Sequence, residues 1–339
     1  MRRWSLPALL ATVGVCLLVW FAVAALCVMV GSGGIGWPAT REVFHIRREV
    51  VMLSSLVGAA LAAAGVAYQA ILRNPLADPY LLGVSSGAAL LAYFWRLPAL
   101  AGVAALLGAM SQQAFAFTGA IIAVTCVLML ASRRGRLEPV TLLLVDVIIN
   151  SLNGSIFLLV YSLVSTLPSS EGALTLLVGG IQTGLTTHQK LAAACLIAVG
   201  FVILMAISGQ LNAAAVGDAE AESLGVRLHR LRWIGLIVAS LVTASAVAIS
   251  GPIGFIGLIC PHLARLVVGT DQRRVLPVAT AMGAALLCIA DAVSRALAAT
   301  GLAATLLPVG VLTSLLGGPF FLLLLIQNRR RAAMMEGRI

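Results

Sequence analysis

Ten apolar stretches alternate with short polar breaks along this chain. They lie at approximately 6–31, 50–72, 80–96, 112–132, 140–165, 189–208, 232–249, 253–268, 276–298 and 302–326. A run of roughly 20 apolar residues crosses a bilayer as a helix. A helix also satisfies its backbone polar groups within the segment, so the repetition predicts an all-α polytopic membrane protein. The eighth stretch is short and follows Gly251-Pro252, which predicts a bent or incompletely spanning element. Arg96-Leu97-Pro98 interrupts another apolar tract and leaves the third turn anywhere between 96 and 113.

Composition agrees with the pattern. Of 339 residues, 61% are hydrophobic and only 10% charged, which leaves no room for a sizeable soluble domain. Residues 1–339 therefore read as one transmembrane domain, with a mean hydropathy of +1.07. The 33 glycines are scattered through the apolar segments, as suits close helix–helix approach in lipid. Arg2-Arg3 followed by an apolar run has the basic start of a signal peptide. That run exceeds an ordinary signal core, however, and reads as a retained first span with the N-terminus inside.

Charge sets the orientation. With both termini inside, 16 of the 22 basic residues fall on the inner side and 6 outside, as the positive-inside rule requires. The net charge of +10 then follows from membrane orientation, and no module for nucleic acid is present. The six cysteines form no C-x-x-C pair and read as packing residues, so no metal and no cofactor are expected. No G-x-x-x-x-G-K-[ST] loop occurs, so the chain is not expected to be an enzyme hydrolysing ATP by itself.

Four polar or irregular stretches carry the remaining signal. Arg73-Asn74-Pro75-Leu76-Ala77-Asp78-Pro79 must be a turn between two spans, because its prolines cannot continue a helix and Asn and Asp favour turns. Within 211–227, Gly217 and Gly225 bracket a short Asp/Ala/Glu piece of good helix propensity. Asp218 stands at its start, where a carboxylate can cap a helix, and Gly225 falls at a C-terminal cap position. The run 250–265, with Gly251, Pro252, Gly254, Pro261 and His262, predicts broken backbone buried within protein at membrane depth. His262 has no second His or Cys beside it and reads as structural. The last stretch, 307–321, contains Pro308, Gly310, Thr313 and Ser314.

Intramembrane carboxylates are expensive, so two of them raise functional hypotheses. Asp291 and Arg295 are spaced i, i+4 for an ion pair. Asp146 shares a face with Asn150 and Asn153, which predicts either helix–helix hydrogen bonding or a pathway wall. An inward vestibule or Arg133, Arg134 or Arg136 would offset its charge.

The stretches RNPLADPYLLGVSSGAAL, 211–225, 250–265 and 307–321 together resemble the bacterial permeases that import iron-siderophores, haem and vitamin B12 with ATP. The resemblance runs from about residue 45 to the last span. It implies an inner-membrane transport subunit that pairs with a second copy of itself, with ABC ATPase subunits and with an extracytoplasmic binding protein. By that likeness, Gly217, Asp218, Glu220, Glu222, Ser223, Leu224 and Gly225 would form the ATPase-coupling loop. Arg47, Arg48 and Arg295 would meet the binding protein, although the family's R-x-P-R is here Arg47-Arg48-Glu49-Val50. Asp146, Asn150, Asn153, Thr313 and Ser314 are the candidates to line the path, although the family usually has a small residue, often Gly, where Asp146 stands. Arg73, Asn74, Pro75, Asp78, Pro79, Gly251, Pro252, Gly254, Pro261, His262, Pro308 and Gly310 would be architectural. Leu306 stands where the family usually has Glu. Two other classes remain open on the residues alone: an ion-coupled secondary transporter using Asp146 and Asp291, and a non-transporting membrane scaffold.

Overall fold

The structure, a computed structural model, describes residues 6–80, 82–95, 97, 112–133, 136–137, 139–163, 178–301 and 306–336. Its helices are α1 (Leu6–Val28), α2 (Arg41–Leu72), α3 (Val84–Phe94), α4 (Gln112–Ala131), α5 (Pro139–Leu163), α6 (Thr187–Val216), α7 (Asp218–Ser223), α8 (Leu228–Ser250), α9 (Ile256–Val268), α10 (Gln272–Ala299) and α11 (Val309–Glu336). Two small hairpins interrupt them, β1 (Val30–Gly31) with β2 (Gly34–Ile35) and β3 (Ser132–Arg133) with β4 (Arg136–Leu137).

Among the described residues, seven helices are long and apolar enough to cross a membrane, and α3, α9 and the apolar part of α11 are shorter apolar helices. These ten correspond one for one to the ten apolar stretches. As a count of crossings, ten is therefore approximate, and the distribution of basic residues is what favours both termini on the cytoplasmic side. The helices overrun the apolar stretches where polar residues continue them into water: α2 begins at Arg41 and α6 ends at Val216. The turn between 96 and 113 lies almost wholly outside the described residues.

Local signals explain the helix ends. Thr40 caps α2 by accepting from the Val43 amide at 3.3 Å. The helix stops at Arg73, in the left-handed region at φ 49°, just ahead of Asn74-Pro75. Thr186 and Gln189 form a reciprocal capping box at the start of α6. Asp271 caps α10 and is held in place by Asn212 at the inner end of α6, 2.7 Å away.

The second helix is the axis of the bundle. Residues on all its sides are buried, and α6, α8, α9 and α10 pack around it. Glycines permit the closest crossings. Gly58 of α2 faces Gly283 of α10, Gly65 of α2 faces Gly257 of α9, and Gly87 of α3 faces Gly119 of α4; a Cβ at any of them would strike the opposing backbone. The first helix lies at the edge and exposes Leu10, Leu17, Leu18 and Phe21, joined to α2 by Trp20 Nε1 donating to Ser55 Oγ at 3.0 Å.

Of the run 250–265 expected to be broken, only 251–255 is non-helical and packed within the bundle; Ser250 ends α8, and 256–265 belongs to α9. Several backbone groups at this break pair with protein groups. Ser250 O accepts from the Gly180 amide at 2.7 Å, and the Tyr80 hydroxyl donates to Ile253 O at 2.7 Å while accepting from the Ile253 amide. Pro261 within α9 has no N–H for the carbonyl four residues before it, that of Gly257. Gln69 Nε2 of α2 supplies the missing donor at 3.1 Å. His262 sits edge-on to Phe320 with ring centroids 5.8 Å apart.

Candidate functional site

Three sequence stretches that are far apart meet at one end of the bundle. Asn74 and Asp78 each form an Asx turn, accepting from the Leu76 amide at 3.0 Å and the Tyr80 amide at 2.9 Å. These turns and two prolines make 73–83 a short, stiff segment between α2 and α3. Gln69 Nε2 holds its middle through Ala77 O at 3.3 Å. Pro79 packs on Gly257, and the Asp78 carboxylate also accepts from the Phe255 amide, so this segment and 250–257 form one element. The third stretch joins it where Gly317 packs on the Phe255 ring; Gly310 approaches the Val178 carbonyl nearby.

At the cytoplasmic end, the Asp218 carboxylate accepts from two arginines. One is Arg73, where α2 ends, and the other is Arg232 of α8, at 2.8 Å. The cap of α7 is the extended Gly217, not Asp218; the carboxylate faces the arginines, which corrects the expected capping role. Gly225, at φ 76°, fills the expected C-terminal cap position. There the Val226 amide donates to Ala221 O at 3.0 Å and the Gly225 amide to Glu222 O at 2.9 Å, the paired bonds of a Schellman motif. Ser223 Oγ donates to Glu220 O at 2.8 Å. Ala221 is buried, whereas Glu220, Glu222, Ser223 and Leu224 are exposed, so α7 presents an acidic face with an apolar tip.

The polar stripe on α5 faces inward. Asp146 Oδ1 accepts from the Gly83 amide and from Asn150 Nδ2, each at 2.7 Å, and Asn153 Nδ2 donates to Ser86 Oγ at 3.0 Å. Helix–helix hydrogen bonding, one of the two arrangements expected for this stripe, is present, with Asn150 and Asn153 half-buried. The other face of α5 carries exposed Leu144, Val147, Ile148, Leu152 and Leu159. The side chains of 133–136, expected near Asp146, are not among those described. Thr313 is buried and bonds back to Gly310 O at 3.1 Å, whereas its neighbour Ser314 is exposed.

Two of the three outer arginines are occupied. Arg295 is 6% exposed, pairs with Asp291 at 2.9 Å and donates to the carbonyls of Cys27 and Val30. It therefore presents no charge to a partner, a correction to its expected docking role; the predicted i, i+4 pair is the arrangement found. Arg47 Nη1 donates to Met29 O at 3.0 Å and to Gly36 O at 2.9 Å, fastening the β1–β2 hairpin. Its neighbour Arg48 is exposed. The bonds of Arg47 and Arg295 to main-chain carbonyls were not visible in the sequence, because those acceptors belong to residues distant in the chain. Among the described residues no group of three or more His, Cys, Asp or Glu could hold a metal ion.

This arrangement has relatives. The chain is 39% identical over 325 residues to the cobalamin import permease BtuC of Halobacterium salinarum, covering 90% of this chain and 83% of that one. It is 38% identical to the hemin permease HmuU of Yersinia pestis, over 82% of this chain and 81% of that one. It is 35% identical to the Fe(3+) dicitrate permease FecD of Escherichia coli, over 84% and 86%. A solved structure of a metal-chelate type ABC transporter in an inward-facing conformation superposes with a TM-score of 0.77 at 26% identity, over 94% of this chain and 99% of that one. The profile of the FecCD transport family matches residues 8–327, and the chain, a multi-pass membrane permease, belongs to that family.

Proposed function

We propose that this chain is the transmembrane subunit of an ATP-driven importer in a bacterial inner membrane, with an iron chelate, haem or a corrinoid as cargo. Two copies would enclose the path, and an extracytoplasmic binding protein would deliver the cargo. ATP would be hydrolysed on separate ABC subunits docked at 211–227. The observation that carries the reading is the Asp218 carboxylate clasped by Arg73 and Arg232. It braces α7 against two membrane helices while Glu220, Glu222 and Leu224 face outward. Each exposed ion pair alone is worth only about 0–1 kcal/mol, so the cluster serves orientation more than stability.

The ion-coupled alternative needs titrating carboxylates with access to a path. Asp146 and Asp291 are instead engaged with an α-helix start and with Arg295. The test is Glu220→Lys together with Glu222→Lys, assayed with the cognate ATPase in proteoliposomes. Membrane insertion should be normal, because both positions are in water. Cargo-stimulated ATP hydrolysis should fall by about tenfold or more through loss of charge complementarity. Normal assembly and transport by the double variant would remove the docking role from α7.

A further inference from the structure

Gly83 begins α3 in the left-handed region, at φ 70°, and has no side chain to cap the helix. The capping carboxylate comes instead from another helix, 63 positions away. Asp146 of α5 accepts from the Gly83 amide at 2.7 Å, and the Leu82 amide also bonds to it. The carboxylate oxygen supplies an acceptor where the first amides of α3 have none within the helix. Asn150, one turn on, donates to the same carboxylate oxygen, and Asn153 reaches Ser86 in the first turn of α3. Asp146 and Asn153 thus grip the start of α3, and Asn150 holds the Asp146 carboxylate from within α5.

The other end of the same segment is held by α7. From Arg73, bonded to Asp218, two Asx turns and two prolines shape residues 74–80, and beyond residue 81 the connection enters α3 at Gly83, bonded to Asp146. The segment is anchored laterally by Gln69 and Tyr80. The fifth helix packs on α3 and α4 and leaves its opposite face exposed.

We infer that Asp146 is a positioning residue that ties α5 to the coupling segment, so that displacement of α7 is passed through Arg73 and residues 74–83 to α5. The inference rests on the proposed role of α7 as the ATPase dock, but the linkage itself is a property of the permease alone. Contiguity by itself is a weak warrant for coupling, so the test must measure coupling.

The experiment is amide hydrogen exchange on the full-length chain in lipid nanodiscs, comparing wild type with Asp146→Ala, Asp146→Asn, Asp218→Ala and the Asp146→Ala/Asp218→Ala double variant. A helix cap is typically worth about fivefold in a local equilibrium. Asp146→Ala should speed exchange at 83–86 by about that factor and also speed it in 218–226, while Asp146→Asn, which keeps an acceptor oxygen, should restore both. Asp218→Ala should speed exchange at 83–86, and the double variant should show less than the product of the single effects. An Asp146→Ala effect confined to 82–86, or single effects that simply multiply, overturns the linkage.

A second readout uses the complete transporter. Asp146→Ala should lower cargo moved per ATP hydrolysed by about threefold or more relative to wild type, at unchanged ATPase assembly, with Asp146→Asn near wild type. An unchanged ratio in a working wild-type transporter overturns the inference and leaves the function standing. Absence of ATP-driven transport in the wild-type complex overturns the proposed function, and the nanodisc exchange still decides the linkage.

Discussion

Gly58 of α2 and Gly283 of α10 meet backbone to backbone. A Cβ on either would strike the other's carbonyl oxygen, and a Cβ on Gly58 would also lie 2.9 Å from Leu287 Cβ. Neither obstacle can swing aside, because one is main chain and the other is the root of a side chain. Overpacking of a well-packed core costs about 1–3 kcal/mol, and more where backbone must shift. Gly58→Leu should therefore lower the thermal unfolding midpoint in detergent clearly, with Gly58→Ala intermediate. An unchanged midpoint for Gly58→Leu would show that the two helices are farther apart.

The Asp291–Arg295 pair gives an asymmetric prediction. Both side chains are buried, and Arg295 also gathers the carbonyls of Cys27 and Val30. Removing one partner of a buried pair strands a charge at about 3–5 kcal/mol. Arg295→Met should thus destabilise strongly, and Asp291→Leu combined with Arg295→Met should recover much of the loss. A double variant as unstable as the sum of the two would place the value of Arg295 in its carbonyl contacts instead. Chemical denaturation in detergent distinguishes these results.

Gln69 offers a sharper test of one hydrogen bond. Its Nε2 serves the Gly257 carbonyl that Pro261 cannot reach, and its Oε1 accepts from Arg265. Leaving a buried acceptor unpaired costs about 1–3 kcal/mol. Gln69→Leu should destabilise by that amount. Adding Pro261→Ala, which restores an N–H to the helix, should recover part of it. No recovery would mean that the bond to Arg265 dominates.

The two neighbouring outer arginines should separate cleanly. Arg48→Glu should slow capture of the binding protein several-fold at low salt and little at high salt, as expected for a charge at an interface rim. Arg47→Ala should instead loosen the β1–β2 hairpin, read as faster amide exchange at 30–36, because its guanidinium is bonded to carbonyls there. Salt-independent capture by Arg48→Glu would assign Arg48 to interfacial anchoring.

The apolar helices, a helix break beginning at Gly251-Pro252 and the Gly225 cap were legible in the sequence because each follows from local chemistry. Apolar length decides a crossing, proline and glycine decide where a helix must stop, and a left-handed position selects glycine. The pairing of Asp291 with Arg295 was legible for the same reason, since four residues is one helical turn.

Other roles depended on distant partners and so stayed hidden. Spacing put Asp146, Asn150 and Asn153 on one face but left open whether that face met a path or a helix; only the approach of α3 decided it. Composition likewise could not separate Arg47 and Arg295 from Arg48, since all three are basic residues near span ends. The carbonyls that occupy the first two belong to another helix and its hairpin. What the sequence determined by itself is therefore the order of the apolar helices, set by hydrophobicity over short windows. What the tertiary structure decided is which polar groups are consumed inside the bundle, because a hydrogen bond needs a specific partner in space and the sequence states only that a partner is required.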